Sequence, residues 1–181
     1  MLGGKLNCPD ITIGPRSTLR GLAHIKIGKN FYAGEGFWLD AVTVHHEQQF
    51  SPLIVIGNNV SISAWTHIAA THRIEIGDGT LIGSKVLISD HNHGSYETGI
   101  EAVRVRPALR MLDDNKSVVI GENVWIGDSV VVMPGVRIGA GSVIGANSVV
   151  TRDVDSLTIV AGAPARVLKR YDAATQEWSK I

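Results

Sequence analysis

Aliphatic residues recur every six positions along most of this chain. The cleanest run is Ile120, Ile126, Val132, Ile138, Ile144 and Val150, with glycine next at Gly121, Gly127, Gly139 and Gly145. Four positions after each aliphatic residue stands a second small or branched one: Val124, Val130, Val136, Ser142, Ser148 and Val154. The same spacing runs through Ile56, Ile62 and Ile68, and resumes at Ile76, Ile82 and Ile88 after a step with two extra residues. A fainter version links Ile13 to Leu19, and Ile27 to Ala33 and Leu39. A period of six fits neither the 3.6 of an α-helix nor the two of a simple amphipathic strand. It fits a solenoid in which each hexapeptide is a short strand plus a corner, and three hexapeptides close one triangular coil. Glycine, asparagine and aspartate after the aliphatic position suit the tight bends that corners need.

The pattern therefore predicts an all-β parallel β-helix with aliphatic columns inside. It fails at one long place, residues 94–117, and loops of that length are commonly lids or binding arms. The ending RYDAATQEWSKI also leaves the repeat, and its alanine, glutamine and glutamate predict a short helix capping the open coil. The chain reads as a single domain over 1–181. Within it we expect N-terminal coils at 11–93, a protruding active-site loop at 94–117, C-terminal coils at 118–168 and a cap helix at 169–181.

Composition narrows the function classes. The chain has 181 residues, 44% of them hydrophobic, enough for one sizeable core. Lysine plus arginine and aspartate plus glutamate each total 17, so no global field favours nucleic acid. The single cysteine, Cys8, cannot form an internal disulfide, which fits a cytoplasmic setting. No stretch has the apolar length of a transmembrane segment, although peripheral contact at the inner membrane face stays open. No glycine-rich loop of the Walker or dinucleotide type is present.

The candidate chemistry sits where the coil breaks. Ser89, Asp90, His91, Asn92 and His93 form a polar cluster just before the long loop, and such groups are costly to bury without partners. They are expected to line a wet cleft. Either histidine could serve as a general base on these grounds. No serine is paired with a base in the sequence, and Cys8 lies far from the cluster, so a covalent intermediate has no obvious nucleophile.

The repeat, together with VLISDHNHG, VWIG and GAPAR, resembles the hexapeptide-repeat acetyltransferases. That resemblance covers roughly residues 11 to 170. It implies a left-handed parallel β-helix, although ordinary crossover rules favour right-handed connections. It also implies a homotrimer with active sites between subunits, acetyl-CoA as co-substrate and no metal. Laid against the maltose and galactoside acetyltransferases, His93 falls on the family's catalytic histidine. Gly127 and Asp128 fall where an amide faces the thioester oxygen. Trp125, Ala146, Thr151 and Arg152 fall along the CoA groove, and Arg166 and Lys169 on positions that meet its phosphates. On the acceptor side stand His67, Thr71, Asp90 and His91.

VSISAWTHIAATHRIEIGDGTLIGSKVLISDHNHG and the C-terminal tail are most similar to lipopolysaccharide and polysaccharide O-acetyltransferases, which implies a sugar or glycan acceptor. Three alternatives stay open at the level of sequence. They are a small acceptor such as a maltose-like sugar, an amino sugar, serine or a xenobiotic; a zinc enzyme similar to the γ-carbonic anhydrases, using His67, His91 and His93; and a non-catalytic β-helix scaffold.

Overall fold

The computed structural model describes residues 10–95, 99–100, 104–113 and 115–181; Cys8 lies outside the described residues. Three parallel sheets wrap one column of aliphatic side chains. The first face stacks Ile11–Ile13, Phe31–Ala33, Ser61–Ile62, Leu81–Ile82, Trp125–Ile126, Val143–Ile144 and Thr158–Ala161. The second stacks Thr18–Arg20, Trp38–Ala41, His67–Ala70, Leu87–Ser89, Val131–Val132 and Val149–Val150. The third stacks Ile25–Ile27, Leu53–Ile56, Arg73–Ile76, Val118–Ile120 and Arg137–Ile138.

Register turns the six-residue period into physical columns. On the third face Ile27 pairs with Ile56, Ile56 with Ile76, Ile76 with Ile120 and Ile120 with Ile138. On the second, Leu39, Ile68, Ile88, Val132 and Val150 stack in order. These side chains are almost wholly buried, so stabilisation accrues coil by coil through like-on-like contacts. The position four residues further on is buried too. Where it is polar, its hydroxyl is satisfied by a corner carbonyl: Thr66 donates to Gly83 O at 2.9 Å and Ser148 to Gly145 O at 2.6 Å.

Two corners run as columns of left-handed residues. One comprises Asn30, Asn59, Gly79, Asn123, Gly141 and Leu157, the other Arg16, Gly36, Trp65, Lys85, Ser129 and Asn147. Asparagine and glycine account for most of the first, as their tolerance of positive φ requires.

The chain leaves the coil at two places between the second and third faces, where the period suggested one. The long segment returns through an antiparallel pairing of Asn92–His93 with Leu112–Asp113. A shorter arm, also antiparallel, joins Val44–His45 to Gln48–Gln49. The two are clasped together. Gln48 donates to Leu112 O at 3.0 Å and accepts from Leu112 N at 2.7 Å, and His45 and His46 reach the carbonyls of Arg110 and Ala108.

The C-terminal segment corrects an expectation. It forms no helix but an antiparallel hairpin, Arg166–Asp172 with Glu177–Lys180, continuing the first face from Thr158–Ala161. Alternation decides it: Val167, Lys169 and Tyr171 turn inward while Arg166, Leu168, Arg170 and Asp172 face out. The open sheet edge supplies hydrogen-bond partners that a helix would leave unpaired, and these override the weak helix preference of alanine and glutamine. Among the described residues no helix is long and apolar enough to cross a membrane.

Candidate active site

The second face ends at a buried carboxylate. Asp90 is fully buried and accepts hydrogen bonds from three consecutive backbone amides of the preceding coil, those of Thr71, His72 and Arg73, each at 2.8 Å. The Thr71 hydroxyl lies 3.1 Å from the same carboxylate and 2.6 Å from Asn115 Oδ1. The two residues inserted between the six-residue runs build this corner, turning their amides toward the next coil. Burial opposes ionisation, but the hydrogen bonds from His91, Thr71 and His72 together hold the Asp90 carboxyl below the usual carboxylate range. Asp90 in turn receives His91 Nδ1 at 2.8 Å. Thr71 and Asp90, expected to face the acceptor, are both buried and support His91 from behind instead.

His91 opens into a cleft of about 300 Å³ whose polar lining includes His67, Ser89, Asn92 and His93, and whose floor includes Val131 to Pro134. His67 is half-buried and stacks on Trp38 with ring centroids 4.1 Å apart. Its Nε2 is buried with no hydrogen-bond partner, an orphan polar atom of the kind a ligand or water satisfies. Burial lowers the His67 pKa, Asp40 partly restores it and His91 lowers it further. His93 is exposed, and its pKa is lowered first by desolvation, then by His45, His91 and His46. Both rings are therefore biased toward the neutral form, as a base requires.

The remaining expected residues fall into two groups. Thr151, Arg152 and Arg166 line a second cleft of about 180 Å³. It lies on the same edge as the histidines, two coils toward the C-terminus. Lys169 belongs to the terminal hairpin, opposite Ile159.

Gly127, Asp128 and Ala146 occupy the opposite edge of the second face, where the chain enters it, and exposed Trp125 lies on the first face beyond them. At that corner Asp128 Oδ1 accepts from Ser84 N at 2.6 Å, and a Cβ on Gly127 would stand 2.7 Å from Ala146 N. The Asp128 amide makes no hydrogen bond among the described residues. One chain therefore does not gather the expected oxyanion residues and the histidines into one cleft.

Sequence reasoning missed the short arm. His45 and His46 face the site, and the only signal was the adjacent histidine pair in VTVHHEQQFSP at a place where the aliphatic spacing lapses. Among the described residues no group of three or more His, Cys, Asp or Glu is placed to hold a metal ion. His67, His91 and His93 thus lack the convergence that the zinc alternative needs.

Comparison with known proteins agrees with this architecture. Residues 117–152 match the bacterial transferase hexapeptide (six repeats) family. Over 164 residues the chain is 40% identical to WbbJ of Escherichia coli (strain K12), a protein assigned by name to O-acetyl transfer in lipopolysaccharide biosynthesis; the match covers 90% of this chain and 80% of WbbJ. Among solved structures, a variant of the N-acyltransferase AntD from Bacillus cereus, in complex with dTDP-4-amino-4,6-dideoxyglucose and coenzyme A, superposes with a TM-score of 0.71. It has 21% identity and covers 93% of this chain and 84% of its own. The hexapeptide-repeat acetyltransferase VCA0836 of Vibrio cholerae O1 biovar eltor, complexed with acetyl coenzyme A, gives a TM-score of 0.60 at 28% identity, covering 94% and 74%. With its three-faced parallel coil, its six-residue period and a relative this similar over nine-tenths of its length, the chain belongs to the hexapeptide-repeat acetyltransferases, the enzymes of the left-handed β-helix fold.

Proposed function

We propose that the protein transfers the acetyl group of acetyl-CoA to a sugar hydroxyl during assembly of lipopolysaccharide or another surface polysaccharide. A histidine of the cleft acts as base, and no acetyl-enzyme forms. The observation that carries this reading is the cleft of His67, His91 and His93 on the same coil edge as the basic cleft of Thr151, Arg152 and Arg166. A CoA molecule laid along that edge has its phosphates near Arg152, Arg166 and Lys169 and its thioester near the histidines. His93 is the residue that the resemblance marks as base, and His67 with its free Nε2 suits an acceptor hydroxyl. The relation to WbbJ supports the sugar acceptor and the polysaccharide role.

The site is completed by a second copy of the chain. Gly127, Asp128, Ala146 and Trp125 lie across the second face from the histidines, so in a homotrimer the entry edge of one subunit meets the exit edge of the next. The exposed apolar side chains Tyr32, Leu81, Trp125, Trp38 and Leu87 on the first and second faces are the surface such an assembly would cover. An acetyl-CoA donor fits a cytoplasmic reaction. Exposed Ile100, Val105, Leu109 and Met111 beside Arg106 suit peripheral contact with the inner membrane face if the acceptor is lipid-linked.

The test is CoA release from acetyl-CoA over a panel of free hexoses, amino sugars, nucleotide-linked sugars and glycan repeat units, with mass spectrometry of the product. An O-acetylated sugar is expected. Acetyl-CoA binding without turnover on any acceptor would leave a scaffold role instead.

A further inference from the structure

We infer that His91, held by the carboxylate of Asp90, is the group that takes the acceptor's proton, with His93 lining the acceptor side of the same cleft. This rests on the acetyl transfer proposed above and assigns its base from geometry alone.

Asp90 is fully buried, and its donors are three backbone amides and an imidazole nitrogen. An environment made wholly of donors keeps the carboxylate ionised. An ionised carboxylate can only accept, so the proton between Asp90 and His91 belongs to His91 Nδ1. That fixes the tautomer: Nε2 of His91 carries the lone pair. This nitrogen has no hydrogen-bond partner among the described residues, while the ring lines the cleft. The buried charge also stabilises the imidazolium that forms when Nε2 takes a proton, the role a buried aspartate plays in hydrolase triads.

His93 lacks these features. It is exposed, neither of its nitrogens makes a hydrogen bond among the described residues, and the one ring it meets within the described structure is that of His45. Among the described residues nothing fixes the tautomer or the ring orientation of His93, whereas Asp90 fixes both for His91.

The step balances as follows. The acceptor hydroxyl gives its proton to His91 Nε2 while its oxygen attacks the thioester carbonyl. Collapse of the tetrahedral intermediate breaks the carbon–sulfur bond, and the proton passes from His91 to the departing sulfur, yielding the acetyl ester, free CoA and neutral His91. Asp90 remains a carboxylate throughout and is a positioning residue.

Two readouts test this on the full-length protein. In long-range nitrogen correlation spectra of histidine-labelled protein, His91 is expected as the Nδ1–H tautomer at neutral pH, and Asp90→Asn is expected to abolish that preference. In CoA release with the best acceptor of the panel, or with water where no sugar is better, His91→Ala is expected to lower kcat about 10³-fold. His93→Ala, which removes a group from the acceptor side of the cleft, is expected to act mainly by raising the acceptor KM, with a kcat loss smaller than that of His91→Ala. Near-parent turnover in His91→Ala with loss in His93→Ala would overturn the inference and leave the acetyl transfer intact. An Nε2–H tautomer at His91 would overturn it as well. Failure of the parent to release CoA under any condition would instead remove the proposed function, and the base assignment with it.

Discussion

The imidazole of His45 stands edge-on to that of His93, with ring centroids 5.5 Å apart and an interplanar angle of 77°. His45 is itself fixed through Nε2 to the carbonyl of Arg110 at 3.1 Å, and His46 beside it to that of Ala108 at 2.9 Å. The short arm between the second and third faces thus touches the cleft and the long loop at once. Desolvation is the main reason His93 titrates below its ordinary range, with His45, His91 and His46 adding like-charge repulsion. Replacing His45 with asparagine removes one of those charges. The His93 pKa is expected to rise part of the way back, read from the pH dependence of its ring proton shifts. A fall, or no movement at all, would mean the two rings do not share that environment.

A second pH effect concerns stability. The native pKa values of His67 and His93 lie below the unfolded value of about 6.5. As pH falls through that value the unfolded chain binds protons that the native state refuses, so stability drops, and the drop ends below the native pKa values. Asp90 acts in the same direction at lower pH. Its native pKa is depressed, so its contribution is present above the unfolded value and disappears as pH falls through the native one. The melting temperature is therefore expected to fall in two stages on acidification, and His67→Gln should shrink the first stage while leaving the second.

Corner packing makes a third prediction. A Cβ on Gly127 would lie 2.7 Å from the backbone nitrogen of Ala146 on the next coil, closer than atoms tolerate, and a backbone neighbour cannot swing away. Gly127→Ala is expected to cost about 1–3 kcal/mol in denaturant unfolding. The small residue there is thus required by coil stacking whether or not the adjacent amide meets a substrate, and an unchanged midpoint would show that the coils can separate locally.

Much of this architecture was legible in the chain itself. The aliphatic residues at six-residue spacing from Ile27 to Val150 are the inward columns, and the glycines and asparagines after them fill the corners. What stayed hidden depends on contacts between coils. Asp90 and His91 are neighbours in sequence, yet the pair has meaning only because amides 17 to 19 residues earlier ionise the carboxylate. The short arm shows in the sequence only as a lapse in the aliphatic spacing between Leu39 and Ile56, which does not reveal that the chain leaves the coil there and rejoins the third face with Ile56 in its column. The terminal hairpin was misread because local propensity cannot see the open sheet edge at Thr158–Ala161 that recruits it.

The donor side can be tested apart from the chemistry. Arg152 and Arg166 flank one small cleft with Thr151, and neither is tied to a carboxylate among the described residues. If they meet the phosphates of CoA, alanine at either position should weaken acetyl-CoA binding about tenfold, the equivalent of about 1.4 kcal/mol. The effect should appear in KM, with kcat at saturating acetyl-CoA nearly unchanged. A matching loss in kcat would place these side chains nearer the reacting atoms than the coil geometry suggests.

The separation of Ala146 from His91 across the second face makes the shared site testable by mixing. Ala146 is exposed at the entry corner, so Ala146→Trp should obstruct the groove from that side without disturbing the core. His91→Ala disables the exit edge. Each variant alone should be nearly inactive. In a ring of three subunits, each site draws one edge from each of two neighbours, so random assembly of the two variants in equal amounts recreates intact sites. A site is whole only when its entry edge comes from a His91→Ala chain and its exit edge from an Ala146→Trp chain, which happens at about one site in four for a random heterologous ring. Co-expressed variants should therefore recover about a quarter of parental CoA release under the same geometry. Recovery requires that the two edges belong to different chains, because no site built within a single subunit can be restored this way. Mixed oligomers as inactive as either variant would place both edges of the site on one chain and rule out the trimeric arrangement proposed here.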